Sequence, residues 1–345
     1  MIDESILKPE EQAVFALRQL YRRYGYLPYK MSKFEEFEYY IRNKDFLISD
    51  RFITFNDIGG KLLALKPDVT LSIVKSREAA PGCKQKVYYN ENIYRVSGST
   101  HCFTEIMQTG LECIGDIDLY DIYETVSLAA QSLGLISENF ILQISHLGIL
   151  SAALDQLGAD SAFRRAAIGY IAEKNAHDLA RLCAEYGADA DLLTGIVSAC
   201  GSRREVLAKL EALCPCPALE ELKALSALLE GSPYADRIIF DFSLAGNMNY
   251  YNGIVFNGFI QGVDQRLLSG GQYDRLMEKL GRSGGAIGFA LYLDLLEQLP
   301  GSRRGFDVDV LLLYDDPVQV PAAVAQLTAA GKTYVVDRAL QSTDS

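Results

Sequence analysis

The first stretch of the chain repeats apolar residues at helical spacing. Within residues 9–24 these positions are Ala13, Phe15, Leu17, Leu20 and Tyr21. Apolar side chains that recur in this way predict an amphipathic helix, and a glycine just after the pattern is a common helix end. Gly25 stands there, so we expect the chain to open with a helix over 9–24.

Two later stretches alternate apolar and polar residues and contain a turn. The first covers residues 47–74 and turns at Asp57-Ile58-Gly59-Gly60. The second consists of residues 86–95 and 105–114, joined by a polar segment around Ser97-Gly98-Ser99-Thr100. Alternation interrupted by a glycine-containing turn is typical of a β-hairpin. We therefore predict two hairpins, the second with a mobile tip.

The middle of the chain changes character. Residues 147–232 are dominated by alanine and leucine at helical spacing, which predicts an inserted helical subdomain. Strand patterns return at 237–242 and 253–260, and a helix is predicted over 288–299. Strands on both sides of the insertion then complete one sheet, so residues 1–302 are predicted to form a single core.

Residues 303–345 carry a separate short pattern after Pro300-Gly301-Ser302. Segment 309–314 has the pattern of a strand, 318–330 that of a helix, and 333–336 that of a second strand. We predict a small β-α-β appendage here. The fold class predicted for the whole chain is α+β, an antiparallel sheet flanked by helices.

The composition of the chain disfavours several classes of function. The chain has 345 residues, 49% of them apolar, which suffices to bury a large core. It has no apolar run long enough to cross a membrane and no basic start followed by an apolar stretch, so we expect a cytoplasmic protein with no membrane partner. The net charge is −12 and the pI about 4.9, which disfavours nucleic acid as a partner.

The cysteines are odd in number and scattered, with no CxxC spacing: Cys83, Cys102, Cys113, Cys183, Cys200, Cys214 and Cys216. Most lie in apolar or helical stretches, so we interpret them as reduced thiols of the core. A metal site around Cys214 and Cys216 is the alternative.

Polar residues cluster at the ends of three strand patterns. The clusters are Lys66-Pro67-Asp68-Val69-Thr70; Arg95 with Gln108 and Glu112; and Asn249-Tyr250-Tyr251-Asn252-Gly253 with Tyr273. Each has a plain structural interpretation. Asp68 could cap the helix that follows, Arg95 could be a surface cation, and the tyrosines could be packing groups.

In chain order these segments resemble the core of class II aminoacyl-tRNA synthetases, in its histidyl-tRNA synthetase branch. Leu65-Lys66-Pro67-Asp68-Val69-Thr70 is similar to the family's LRPExT, and Tyr94-Arg95 through Gln108-Thr109-Gly110-Leu111-Glu112 to its motif 2. Asn249-Tyr250-Tyr251-Asn252-Gly253-Ile254-Val255-Phe256 resembles the signature LDYYTGxVF. Gly270-Gly271-Gln272-Tyr273-Asp274 with Gly288-Phe289-Ala290 resembles the entry to motif 3.

The resemblance implies a pocket for free histidine. Asp68, Thr70 and Tyr273 would receive the α-ammonium, and Arg95 with Gln108 the carboxylate. Glu112 and Tyr251 would bond the imidazole nitrogens, with Tyr250 beside them. Such a pocket rejects apolar analogues, because they would leave a buried carboxylate unpaired. Asp68 departs from the family, whose glutamate at this place is one methylene longer.

Other departures concern catalysis. Adenylate formation needs cations on the ATP phosphates, yet by resemblance this chain has Gly246, Leu295 and Thr104 where the family has arginine, and Ser97 where it has glutamate. Of these cations only Arg95 remains. We therefore predict no catalytic residues, no metal and no cofactor.

A synthetase-like core of this kind resembles the regulatory subunits of ATP phosphoribosyltransferase. The resemblance implies a homodimer within a hetero-oligomer that contains a short catalytic subunit. The chain would activate that subunit and transmit histidine feedback, with residues 97–101 and 247–249 as mobile parts. Three alternatives stay open: a free-standing amino-acid sensor, an active synthetase, and a scaffold whose pocket is not used.

Overall fold

A computed structural model describes residues 7–44, 47, 52–77, 79–80, 82–96, 102–244, 250–299 and 308–339. The chain divides into the compact units Met1–Leu299 and Pro300–Ser345. The predicted mobile segments 97–101 and 247–249, with Ser97 and Gly246, lie outside the described residues.

The elements are numbered in chain order. The helices are α1 (Pro9–Arg23), α2 (Phe37–Arg42), α3 (Thr70–Ser76), α4 (Leu119–Ile136), α5 (Leu147–Gln156), α6 (Ser161–Ala172), α7 (Ala176–Glu185), α8 (Ala190–Val197), α9 (Arg203–Leu213), α10 (Pro217–Leu229), α11 (Asp274–Lys279) and α12 (Val320–Ala329). The strands are β1 (Leu27–Pro28), β2 (Phe34–Glu36), β3 (Thr54–Asn56), β4 (Leu62–Leu65), β5 (Lys84–Val96), β6 (Phe103–Gly115), β7 (Phe140–His146), β8 (Cys200–Gly201), β9 (Ile238–Asp241), β10 (Ile254–Ile260), β11 (Leu268–Gln272), β12 (Gly285–Tyr292), β13 (Val310–Tyr314) and β14 (Tyr334–Arg338).

The first unit is built on a large sheet with the strand order β1-β5-β6-β12-β11-β10-β7-β9-β8. Its central strands, from β5 to β7, are antiparallel, whereas β1 pairs with β5 and β7 with β9 in parallel. The predicted α+β class is confirmed, but the sheet is mixed rather than antiparallel throughout. Parallel neighbours need a long crossover, and the helices between β7 and β9 supply one.

Both predicted hairpins are confirmed. Strands β5 and β6 pair along their whole length, from Lys84 opposite Gly115 to Val96 opposite Phe103. Strands β3 and β4 pair across a turn in which the Asp57 carboxylate accepts a hydrogen bond from the Lys61 N–H at 2.8 Å. The predicted opening helix is α1, which buries Val14, Leu17 and Tyr21.

The helix predicted over 288–299 is wrong. Residues Gly285–Tyr292 form strand β12, and only a short 3-10 turn, Leu293–Gln298, follows it. The strand is hydrogen-bonded on one side to β11 and on the other to β6. A short apolar run does not distinguish a buried strand from a buried helix. Here pairing with distant strands decides in favour of the strand.

Helices α5–α10, called here the inserted helices, lie in the chain between β7 and β9. Several begin at a residue whose side chain accepts hydrogen bonds from the first turn, among them Asp160, Asn175, Asp189 and Ser202. Their leucines belong to the same apolar core as the sheet residues Leu142, Ile144 and Phe240. Local capping and leucine burial together account for this part of the fold.

The cysteines are all free thiols, but the prediction that they belong to the core holds only in part. Cys113, Cys183 and Cys214 are buried and Cys216 is half-buried. Cys83, Cys102 and Cys200 are exposed, because they lie at strand ends or in connections rather than on the buried faces that the apolar context suggested. Within the described ranges, no group of His, Cys, Asp and Glu could hold a metal ion.

In the second unit, β13 and β14 pair in parallel and α12 connects them, so the predicted β-α-β appendage is confirmed. Among the helices in the described part of the chain, none is both long and apolar enough to cross a bilayer.

Candidate ligand-binding cleft

A cleft of about 870 Å³ is lined by residues of the large sheet and of the segments around it. The structure brings the predicted histidine-binding residues together, since each of them lines this cleft: Asp68, Thr70, Arg95, Gln108, Glu112, Tyr250, Tyr251 and Tyr273. They come from the β4–α3 connection, from β5 and β6, and from the residues that precede β10 and α11.

Glu112 on β6 is buried and hydrogen-bonded within the cleft. Its side chain is 1% exposed, and its two oxygens accept separate hydrogen bonds. The Thr70 hydroxyl donates to Oε1 at 2.7 Å, and the Tyr273 hydroxyl donates to Oε2 at 2.5 Å. Burial nevertheless raises the pKa of Glu112 to about 8, because two neutral hydroxyls replace only part of its hydration. A cationic or N–H-donating ligand would offset that burial.

Glycines on the neighbouring strands make room for this carboxylate. A Cβ at Gly288 would lie 1.7 Å from Glu112 Oε2 and 2.4 Å from the Leu111 carbonyl oxygen. A Cβ at Gly271 would lie 2.7 Å from the Ile254 carbonyl oxygen and 2.8 Å from the Tyr251 ring. These approaches exclude any side chain, so both glycines shape the floor of the cleft.

Asp68 has the capping role that was the structural alternative, and it also lines the cleft. Its Oδ1 accepts a hydrogen bond from the Leu71 N–H at 2.8 Å, in the first turn of α3. The residue is 8% exposed, and burial raises the pKa of its carboxyl. Capping therefore does not remove Asp68 from the cleft.

Arg95 is half-buried rather than a free surface cation. Its Nε–H donates to the Pro67 carbonyl oxygen at 3.0 Å, and the Tyr94 N–H donates to the Lys66 carbonyl oxygen at 2.9 Å. These bonds tie the segment that carries Asp68 to strand β5. Gln108, 3% exposed, lies on β6 opposite Tyr292 of β12.

The tyrosines form an aromatic wall. The rings of Tyr250 and Tyr251 meet edge to face with centroids 4.6 Å apart, and those of Tyr250 and Tyr273 are 5.9 Å apart. Burial raises the pKa of all three hydroxyls, so they stay protonated and can donate hydrogen bonds at neutral pH.

Two positions where the synthetase resemblance places arginine can be located in the structure. Leu295 is partly buried and packs against the main apolar core. Thr104 is exposed on β6, opposite Arg95 of β5. Neither side chain supplies positive charge, and Asp294 beside Leu295 accepts a hydrogen bond from the Met107 N–H at 2.9 Å.

Sequence reasoning missed other residues of the cleft. Gln143 of β7, Asn257 of β10 and Ser269 of β11 stand opposite one another in register and all line it. Lys174 and Arg266 line it as well. The available signal was the single polar residue within otherwise apolar strands, as in Ile254–Ile260.

Comparison with known proteins gives named relatives. They include the following two, both called ATP phosphoribosyltransferase regulatory subunit. The Oceanobacillus iheyensis protein is 26% identical, over 87% of this chain and 76% of that protein. The Lysinibacillus sphaericus protein is 29% identical, over 80% of this chain and 74% of that protein.

Solved structures share the fold. The ATP phosphoribosyltransferase regulatory subunit/histidyl-tRNA synthetase from Bacillus halodurans is 24% identical with a TM-score of 0.76, covering 97% of this chain and 90% of that chain. A chain of the ATP phosphoribosyltransferase (HisG:HisZ) complex from Thermotoga maritima is 20% identical with a TM-score of 0.66, covering 82% of this chain and 97% of that chain. The family model described as histidyl-tRNA synthetase matches residues 3–296, and the chain therefore belongs to the histidyl-tRNA synthetase family.

Proposed function

We propose that this chain is a regulatory subunit of ATP phosphoribosyltransferase, cytoplasmic and without activity of its own. It would activate a short catalytic subunit in the first step of histidine biosynthesis and transmit inhibition by histidine. The names of its curated relatives support this role. Within a fold shared by synthetases and regulatory subunits, the residues of the cleft decide between them.

One observation carries the proposal: among the described residues, the cleft has polar groups suited to an amino acid, while two positions at which the family has an arginine for ATP carry no positive charge. Leu295 packs into the apolar core where the family's motif 3 arginine would lie, and Thr104 is neutral. Adenylate formation depends on positive charge at the phosphates and at the developing negative charge. A chain without these groups can bind an amino acid and report it, yet it cannot activate it.

The ligand of the cleft is, in this proposal, free histidine. Its imidazole would bond Glu112 and Tyr251, its ammonium Asp68, and its carboxylate Arg95 and Gln108. Glu112 already accepts hydrogen bonds from Thr70 and Tyr273. An imidazole N–H therefore competes with these hydroxyls, and a displaced hydroxyl becomes available to the ammonium. Histidine binding would in this way change the hydrogen bonds of Thr70 and Tyr273, at the starts of α3 and α11.

The proposed assembly also contains a homodimer of this chain, and a pair of exposed aromatic residues supports that homodimer. Phe34 of β2 and Phe55 of β3 pack edge to face with ring centroids 5.6 Å apart. They remain 45% and 39% exposed. Contiguous exposed apolar surface on a soluble protein marks an interaction site. Phe34→Asp should shift the sedimentation of the purified protein from dimer to monomer.

Reconstitution tests the function. A short catalytic subunit should be nearly inactive alone, gain phosphoribosyl transfer when this chain is added, and lose it again with histidine. The chain alone should not exchange pyrophosphate with ATP in the presence of histidine. Exchange well above background would make it a synthetase. Histidine binding without activation of the catalytic subunit would make it a free-standing sensor.

Tyr251→Phe separates sensing from activation. The change removes one proposed imidazole contact, so histidine inhibition should weaken while activation stays intact. Tyr186→Phe is the matched control, since Tyr186 lies after α7 and does not line the cleft. Loss of activation with unchanged inhibition in Tyr251→Phe would assign sensing to other residues. Activation with no histidine binding at all would make the cleft a scaffold.

A further inference from the structure

The cleft is larger than one amino acid requires. Pockets of about 300–1,000 Å³ enclose drug-sized ligands, and this cleft of about 870 Å³ is near the upper end of that range. The proposed histidine-binding residues account for one part of its lining. Residues of β7, of β10 and of the inserted helices line another part.

A row of neutral polar side chains crosses the floor of this second part. Gln143 stands opposite Asn257, and Asn257 opposite Ser269. Strands are spaced by about 4.8 Å, so along the strand order Ser269 on β11 is about 10 Å from the strand of Glu112 and Gln143 on β7 about 19 Å. One amino acid held at Glu112 cannot reach the far end of this row.

Two further cations line the cleft. Lys174 lies between α6 and α7, and Arg266 between β10 and β11. Among the described residues, the structure shows no ion pair and no side-chain hydrogen bond for either of them. Their positive charge is therefore available to a ligand.

The backbone at Lys174 is strained for a lysine. Its φ is +56°, the left-handed region, which costs a residue with a Cβ roughly 1–2 kcal/mol. The helix ends after α5 and α7 have the same conformation and carry glycine there, Gly158 with φ +63° and Gly187 with φ +66°. A lysine kept where its neighbours have glycine suggests that its side chain has a use.

We propose that the cleft contains a second subsite, which binds an anionic group, phosphate or carboxylate, between Lys174 and Arg266 above the row Gln143, Asn257 and Ser269. The cations attract the charge, and the amides and hydroxyl supply donors and acceptors to the rest of the ligand. The two cations of this subsite are not among the proposed histidine-binding residues, whereas Ser269 adjoins Tyr251.

Calorimetry on the full chain at low ionic strength tests the subsite, with inorganic pyrophosphate and malonate as probes for phosphate and carboxylate. At least one probe should bind saturably. Lys174→Gly and Arg266→Ala should each weaken it about tenfold, while Arg204→Ala, an exposed change outside the cleft, should not. Lys174→Gly should also raise the melting temperature, because glycine relieves the backbone strain, so weakened binding would not reflect misfolding.

Two results would overturn the proposal: no saturable binding of either probe, or equal affinity in the Lys174 and Arg266 variants and the wild type. Glu112→Gln keeps the histidine question separate. It should weaken histidine binding and leave probe binding unchanged, whereas equal weakening of both would mean a single site.

Discussion

The inserted helices and the floor of the cleft are built differently. Each of the inserted helices α6–α9 begins at a capping side chain, such as Asp160 or Ser202, and leucines face inward. In the cleft, both hydrogen bonds that buried Glu112 accepts from described residues come from hydroxyls, and a glycine, Gly288, is needed beside it. The helices follow the usual patterns of capping and leucine burial, whereas the cleft contains a buried carboxylate and a strand glycine, which most folds avoid.

The contrast shows which groups lower the stability of the folded protein. A buried carboxyl with a raised pKa and a strand glycine are both unfavourable for the fold taken alone. Such conflicts are expected at functional sites, because the groups are arranged for a ligand. Variants in the two regions should therefore affect stability and binding in different proportions.

The largest effect is expected for Gly288→Ala. The added methyl would meet the Glu112 carboxylate and the Leu111 carbonyl oxygen. Overpacking of this kind destabilises a protein by about 3 kcal/mol. Urea unfolding should show the loss, together with loss of histidine binding. Gly169→Ala in α6 is the control, because its Cβ would meet no atom within 4 Å, and alanine there should stabilise by about 0.5–1 kcal/mol. Equal free energies of unfolding for the two variants would contradict the close packing around Gly288.

Glu112→Gln should have opposite effects on stability and on binding. In the folded protein the pKa of Glu112 is raised from 4.5 to about 8, so its contribution to stability is present below pH 4.5 and is lost as the pH rises through 8. The variant should resemble the wild type in urea at pH 5 and be more stable at pH 9, by on the order of 2 kcal/mol. Histidine affinity should fall about tenfold or more. A variant less stable at pH 9 would count against this account.

Histidine binding should release a proton near neutral pH. An imidazole N–H needs an ionised Glu112, and burial holds its pKa near 8. Between pH 7 and 8, affinity should therefore rise by up to tenfold, about 1.4 kcal/mol per pH unit. Calorimetry in buffers of different ionisation enthalpy measures the released proton, which Glu112→Gln should abolish. Binding heats that do not depend on the buffer would disprove the linkage.

The smallest effect is expected in the inserted helices. Asp160→Ala removes the acceptor for the Ala162 and Phe163 N–H groups and should cost about 1 kcal/mol. Histidine affinity should be unchanged, because Asp160 does not line the cleft. Reduced affinity would show that the two regions are coupled more closely than their construction suggests.

The sequence predicted the residues of the cleft better than their contacts. Motif order brought Asp68, Arg95, Glu112 and Tyr273 into one group, and all of them line the cleft. Yet the bond between Tyr273 and Glu112 joins residues 161 positions apart, and no local pattern encodes such a partner. Lys174 and Arg266 were missed for the same reason, since each lies in a connection with an ordinary composition.

Local patterns alone determined the element types wherever the period was clear: the opening helix, both hairpins, the helical character of 147–232 and the β-α-β appendage. Tertiary structure decided the rest. It made Gly285–Tyr292 a strand, exposed Cys83, Cys102 and Cys200, and fixed both hydrogen bonds of Glu112. The physical reason is that periodicity records which face of an element is buried, whereas strand pairing and the bonding of buried polar groups depend on residues that only the complete fold brings together.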